Sequence, residues 1–146
     1  MPAPTSARPA TSLPGALRDA VMRLGRRMRA ERAETDLSLG QWAALRTLEL
    51  HGPMTPSELA AHEKVQPPSV TKIVARLEEH GYVTRVPDPN DRRQVVVTAA
   101  RAGKALLAED RRRKDAWLSQ RLRALDPGEL SVLADALPIL EKLSRS

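Results

Sequence analysis

Apolar residues recur at helical spacing along most of the chain, and the pattern changes once, to two short runs of the kind that form strands. From Leu17 the positions Val21, Leu24 and Met28 follow four, three and four residues apart, one stripe of a helix over roughly Pro14 to Ala33. Ser38 and Gln41 stand at capping-box spacing, so a second helix begins there, with Trp42, Leu45 and Leu48 as its buried side. His51-Gly52-Pro53 stops it, because Gly tolerates a left-handed turn and Pro cannot continue a helix. Thr55-Pro56-Ser57-Glu58 is a sharper start signal, and a short third helix runs through Leu59, Ala60 and Ala61. Pro67-Pro68 opens a fourth, in which Val70, Ile73, Val74 and Leu77 turn one face inward and leave Ser69, Thr71, Lys72 and Arg76 outward; Gly81 ends it.

Tyr82 to Val86 and Gln94 to Thr98 are β-prone runs joined by Pro87-Asp88-Pro89-Asn90-Asp91-Arg92-Arg93, which predicts a hairpin with a long basic tip. A long helix then runs from Thr98 to about Leu125, with Ala102, Leu106, Trp117, Leu118 and Leu122 available for packing. Asp126-Pro127-Gly128-Glu129 starts a last helix with the seam Leu130, Leu133, Leu137 and Leu140, and Pro138 inside that seam predicts a kink or a break about one turn earlier. The fold class expected is mainly α with a small β-hairpin: a winged helix-turn-helix plus a helical dimerisation region, about six helices and two to three short strands. Residues 13–146 are expected to form a single domain, with 38–98 as the winged unit and 13–36 and 99–146 as dimerisation helices. Residues 1–12, rich in Pro, Ala, Ser and Thr, are expected to be a disordered tail.

Composition narrows the class. With 146 residues and 41% hydrophobic content the chain can bury one core. It contains no Cys, which removes disulfides, thiolate metal sites, Cys nucleophiles and thiol-based peroxide sensing, and fits a reducing cytoplasm. No secretory signal and no stretch long enough to span a bilayer is found, so no membrane partner is expected. The net charge of +6 favours a polyanion, yet residues 51–98 carry six Lys and Arg against six Asp and Glu. Charge therefore does not single out the winged segment; the order of its elements does.

The major groove admits one α-helix, and the exposed N-terminal half of that helix can reach base edges. Residues 55–80 supply a short helix, a tight turn and a helix bearing small polar and basic groups. Ser69 and Thr71 can bond base edges or phosphate, Lys72 and Arg76 can meet phosphate or guanine, Pro68 helps aim the helix start, and Thr55 and Ser57 head the supporting helix. At the tip, Arg93 can enter the minor groove while Asp91 orients it, with Arg92 beside them. An ordinary solvated turn is the competing reading of the tip taken alone.

The run from Gln66 through Pro67-Pro68-Ser69-Val70-Thr71-Lys72 to Arg76, and on through Gly81-Tyr82-Val83-Thr84-Arg85, followed by Asp88-Pro89-Asn90-Asp91-Arg92-Arg93-Gln94-Val95, resembles the multiple antibiotic resistance regulator (MarR) family. That resemblance extends from about Leu17 to Leu143. It implies a homodimer held by the first, fifth and sixth helices, gripping a pseudo-palindromic operator in double-stranded DNA, and usually a repressor released by a small-molecule effector such as a phenolic or aromatic acid. It assigns recognition-helix roles to Ser69, Thr71, Lys72 and Arg76, and wing roles to Asp91 and Arg93. Independently, leucine seams at both ends of the chain exceed what one winged unit can bury.

Three rival readings stand beside it. His51, His62 and His80, with Glu63 and Glu79 nearby in sequence, suggest a metal-responsive regulator, though no His pair has the tight spacing of a structural site and no resident cofactor or metal is expected. Nothing marks an enzyme: there is no glycine-rich phosphate loop and no nucleophile elbow. A basic adaptor or membrane-surface module would account for Arg26 to Arg32 and Arg111 to Lys114, but not for the wing.

Overall fold

The computed structural model describes residues 12–146, so the expected tail lies, Ser12 apart, outside the described residues. In chain order the elements are α1 (Leu13–Ala30), α2 (Leu39–His51), α3 (Pro56–Glu63), α4 (Pro67–Glu79), β1 (Val83–Pro87), β2 (Val95–Ala99), α5 (Arg101–Leu122) and α6 (Pro127–Ser144). Six helices and one hairpin match the expected class. The strands pair antiparallel with Val83 opposite Ala99 and Pro87 opposite Val95, and a bridge between Met54 and Val97 adds a one-residue third rung.

Local chemistry sets most boundaries. At α2 the Ser38 hydroxyl accepts from the Gln41 amide, and the Gln41 side chain accepts from the Ser38 amide. Gly52, at φ 84°, ends that helix. Thr55 caps α3 by accepting from the Glu58 amide. At the end of α4 the Tyr82 amide donates to the Leu77 carbonyl and the Gly81 amide to that of Glu78, both at 2.9 Å, which closes the helix in a Schellman turn. The same pair of bonds closes α3, from Val65 to Ala60 and from Lys64 to Ala61, but there Lys64 occupies the left-handed position, at φ 54°.

The chain divides into two compact units, residues 33–113 and residues 13–32 with 114–146. The first has a continuous core. Trp42, Ala44, Leu45 and Leu48 of α2 meet Leu59 and Ala60 of α3, Val70, Val74 and Leu77 of α4, Val83 and Val97 of the hairpin, and Leu107 of α5. In the second, α1 and α6 bury none of their residues. Leu17, Val21 and Leu24 are exposed on α1, and Leu130, Leu133, Leu137 and Leu140 on α6.

Three expectations are corrected. Helix α1 stops at Ala30 rather than Ala33, because Ala33 is buried in the core of the winged unit and donates its amide to Asp110 at 3.2 Å. Helix α5 turns Gly103, Leu107 and Asp110 inward and packs Leu106 half-buried against the core as expected, but leaves Ala102 and Leu122 exposed. The phase is set at Gly103, where the helix passes the Tyr82 carbonyl. Of the kink or break expected at Pro138, the break does not occur, since α6 runs from Pro127 to Ser144. The proline removes the partner of the Ala134 carbonyl, and Ala134 is exposed, so water can take that bond.

Candidate nucleic-acid interface

Helix α4 owes its outward face to what it buries. Val70, Val74 and Leu77 enter the core with Ile73 packed against them, which fixes the helix rotation and leaves Ser69, Thr71 and Lys72 in solvent. Pro67 and Pro68 occupy the first two helical positions and carry no amide, while the Ser69 amide already bonds the Gln66 carbonyl at 3.0 Å. The helix head thus has few donors left for a phosphate, and contact there falls to side chains. The Thr71 hydroxyl donates to the Pro67 carbonyl at 3.1 Å, so its oxygen remains as an acceptor for a base amino group.

Arg76 is placed differently from its neighbours. It is half-buried, with Nη2 2.7 Å from Asp36 Oδ2 and Nη1 3.3 Å from Glu79 Oε2. His80 joins the same group: Nε2 lies 2.7 Å from Asp36 Oδ1, and Nδ1 lies 2.9 Å from the Arg76 carbonyl oxygen. The carbonyl of Arg76 and the carboxylate of Asp36 both favour the charged ring and raise the His80 pKa above its ordinary value, while the His80 hydrogen bond is the leading cause that lowers the Asp36 pKa. Sequence reasoning missed Asp36 and His80 as partners of Arg76. The available signal was weak: a His just before the terminating Gly can fold back on the carbonyl four residues earlier.

Two aspartates order the hairpin tip. Asp91 Oδ1 accepts from the Arg93 amide at 3.1 Å and stands 4.0 Å from Arg93 Nε, and the Arg93 side chain is 96% exposed. Asp88 Oδ1 accepts from the Asn90 amide, and the Asp88 amide donates to the Gln94 carbonyl. The loop is therefore held by two Asx-type turns, with Arg92 and Arg93 in solvent. Thr55, Pro56, Ser57 and Glu58 at the head of α3 share one cleft with Gln94 and Val95 at the base of the wing. Ser57 is thereby brought beside the hairpin, while the Thr55 hydroxyl oxygen accepts the cap bond and keeps its O–H to donate.

Several residues behind the rival readings make contacts within residues 33–113. The His51 and His62 rings lie 4.7 Å apart, Glu63 accepts from Thr47, and among the described residues no three His, Asp or Glu are grouped to hold a metal. Arg111 makes two bonds to Glu49, and Arg112 and Arg113 both reach Glu109. Among the described residues no helix is long and apolar enough to cross a membrane.

A short capped helix, a tight turn and a second helix with an outward polar face, followed by a basic hairpin, make a winged helix-turn-helix, the architecture of a DNA-binding regulator of transcription. The MarR family model matches residues 37–95. An uncharacterized HTH-type transcriptional regulator of Mycobacterium bovis is 41% identical over 121 residues, covering 83% of this chain and 85% of that one. The HTH-type transcriptional repressor NicR of Pseudomonas putida is 34% identical over 91 residues, 62% of this chain and 58% of that one. A putative transcriptional regulator of Pseudomonas aeruginosa superposes with a TM-score of 0.82 at 30% identity, covering 92% of this chain and 95% of the other. The chain belongs to the MarR family.

Proposed function

We propose that this regulator is a cytoplasmic, non-catalytic homodimer that represses transcription by gripping a pseudo-palindromic operator and lets go when a small aromatic or phenolic acid binds. In this reading α4 enters the major groove, with Pro68, Ser69, Thr71 and Lys72 toward base edges and Arg76 toward phosphate. Thr55 and Ser57 face the backbone beside the wing, where Arg93, oriented by Asp91, enters the minor groove and Arg92 meets phosphate. The observation that carries it is the Asp91–Arg93 tip: a fully solvated guanidinium on a loop held rigid by its own carboxylates suits a groove of concentrated negative potential.

The bare leucine faces of α1 and α6 support the dimer, since faces of this kind are covered in stable folds. A two-fold dimer then asks for half-sites about 10 base pairs apart. The effector reading is supported by a cleft on the winged unit lined by Ala43, Arg46, Thr47, Glu49, Leu50 and Arg111, where Arg46 offers a guanidinium to a carboxylate beside the apolar Leu50. Repression is named for NicR and carried to this chain as part of the proposal.

The test is selection of duplexes from a random-sequence pool by the full-length protein, followed by footprinting and salt titration. Two half-sites one turn apart and a linear fall of log affinity with log salt support the reading. A pool that yields no enriched duplex ends it.

A further inference from the structure

His80 sits between two acceptors. Its Nδ1 faces the Arg76 carbonyl at 2.9 Å and its Nε2 faces Asp36 Oδ1 at 2.7 Å. A neutral imidazole carries a single N–H, so only the imidazolium satisfies both contacts. The remaining Asp36 oxygen holds Arg76 at 2.7 Å, and Arg76 also reaches Glu79. The imidazole stacks on Tyr82, with ring centres 5.4 Å apart, and Glu78 nearby in sequence is taken by Arg85. Asp36 lies in the segment before α2, 40 positions from Arg76. A residue outside the helix-turn-helix therefore grips a cation on the reading helix.

We propose that Asp36 and His80 are positioning residues for DNA recognition: together they control whether the Arg76 guanidinium is held by protein or released to phosphate, and loss of the His80 proton tightens the hold. With His80 charged, one carboxylate is shared between two cations. With His80 neutral, the whole Asp36 charge falls on Arg76, and a phosphate must compete against a stronger partner. Contact pairs of this kind are screened by salt less than distant charges, so the competition persists at physiological ionic strength. The inference rests on the proposed phosphate role of Arg76.

The test uses a duplex selected by the full-length protein from a random pool, with affinity measured at constant salt as pH is raised. Wild-type affinity is expected to fall about threefold through the His80 titration, the scale of one exposed ion pair. Asp36→Asn is expected to bind about threefold tighter at the alkaline end and His80→Gln to show a flat profile, each through the same single pair. In the DNA-free protein, the His80 ring resonances are expected to titrate lower in Asp36→Asn than in wild type. An Asp36→Asn profile that overlays wild type, or a His80 titration unmoved by that change, overturns the proposal. Should Asp36→Asn fail to fold, His80→Gln decides alone: a flat profile sustains the proposal and a wild-type profile ends it. Arg76→Ala separates the two readings, because undiminished binding by that variant removes the phosphate role and the inference with it, while the remainder of the interface stands.

Discussion

A β-carbon placed on Gly103 would stand 2.3 Å from the Tyr82 carbonyl oxygen. That oxygen cannot retreat freely, because it accepts from the Ala100 amide at 2.8 Å and so fastens the start of α5 to the start of the hairpin. Leu45 Cδ1, at 3.0 Å from the same point, closes the other side. Gly103→Ala is therefore expected to destabilise the winged unit by about 1–3 kcal/mol, the usual cost of overpacking. Urea unfolding checks it, and an unchanged midpoint would show that α5 shifts without cost.

At the wing, the Arg93 side chain is 96% exposed, so Arg93→Ala should leave the unfolding midpoint where it is. Its effect belongs to binding. Removing one cation from the negative potential of the groove should reduce the slope of log affinity against log salt by about 0.9 and weaken binding broadly. Were Arg93→Ala to bind its selected duplex as tightly as wild type, with an unaltered slope, the wing would have no place in the interface.

Lys64 turns the chain between α3 and α4 at φ 54°, in the position that closes a Schellman turn and that glycine usually fills. A residue with a β-carbon pays for that conformation, and its side chain is exposed, so little packing is lost on its removal. Lys64→Gly is expected to raise stability by about 0.5–1 kcal/mol despite the greater freedom of glycine in the unfolded chain. Thermal unfolding of the two proteins side by side decides the sign.

Much of this architecture was legible because its causes are local. The boxes at Ser38 with Gln41 and at Asp126 with Glu129 are three-residue signals, and both form as spaced. The rotation of α4 follows from Val70, Val74 and Leu77, and the closing of the tip from Asp91 acting two residues along. What stayed hidden depends on distance in sequence. Asp36 meets His80 across 44 positions, and of the two partners of the Arg76 guanidinium only Glu79, three residues along the helix, lies within sequence reach. The phase of α5 is hidden in the same way, because adjacent Leu106 and Leu107 fit either register and the deciding contact, Gly103 against Tyr82, is tertiary.

The Asp36–His80 pair links stability to pH with a defined sign. A histidine whose pKa is raised on folding contributes fully below its ordinary 6.5, and that contribution fades as pH rises through the raised value. Asp36, lowered on folding, contributes fully above its ordinary 3.8 and loses the contribution as pH falls through the lowered value. Both are complete between those two ordinary values. The gap in urea midpoint between wild type and His80→Gln should be widest in that window and close on the alkaline side. A gap that stays constant into alkaline solution would mean that His80 acts by packing on Tyr82 alone.

The exposed leucines of α6 bear on assembly. Leu133, Leu137 and Leu140 stand on one side of a helix that buries none of its residues, although Pro127 and the Asp126–Glu129 box give it a well-formed start. A helix so capped, yet bare along its apolar side, is stabilised when that side is covered by another surface, and a second copy supplies one with the same character. Leu137→Glu introduces a charge on this side without touching the winged core, since Leu137 is 59% exposed. Sedimentation should then show wild type as a dimer at micromolar concentration and Leu137→Glu shifted toward monomer, with the hairpin and α4 still folded by amide exchange. Affinity for a two-half-site duplex should fall with it, because each monomer then grips a single half-site and the advantage of linked binding is lost. A Leu137→Glu protein that stayed dimeric would place the interface elsewhere than along the α6 seam.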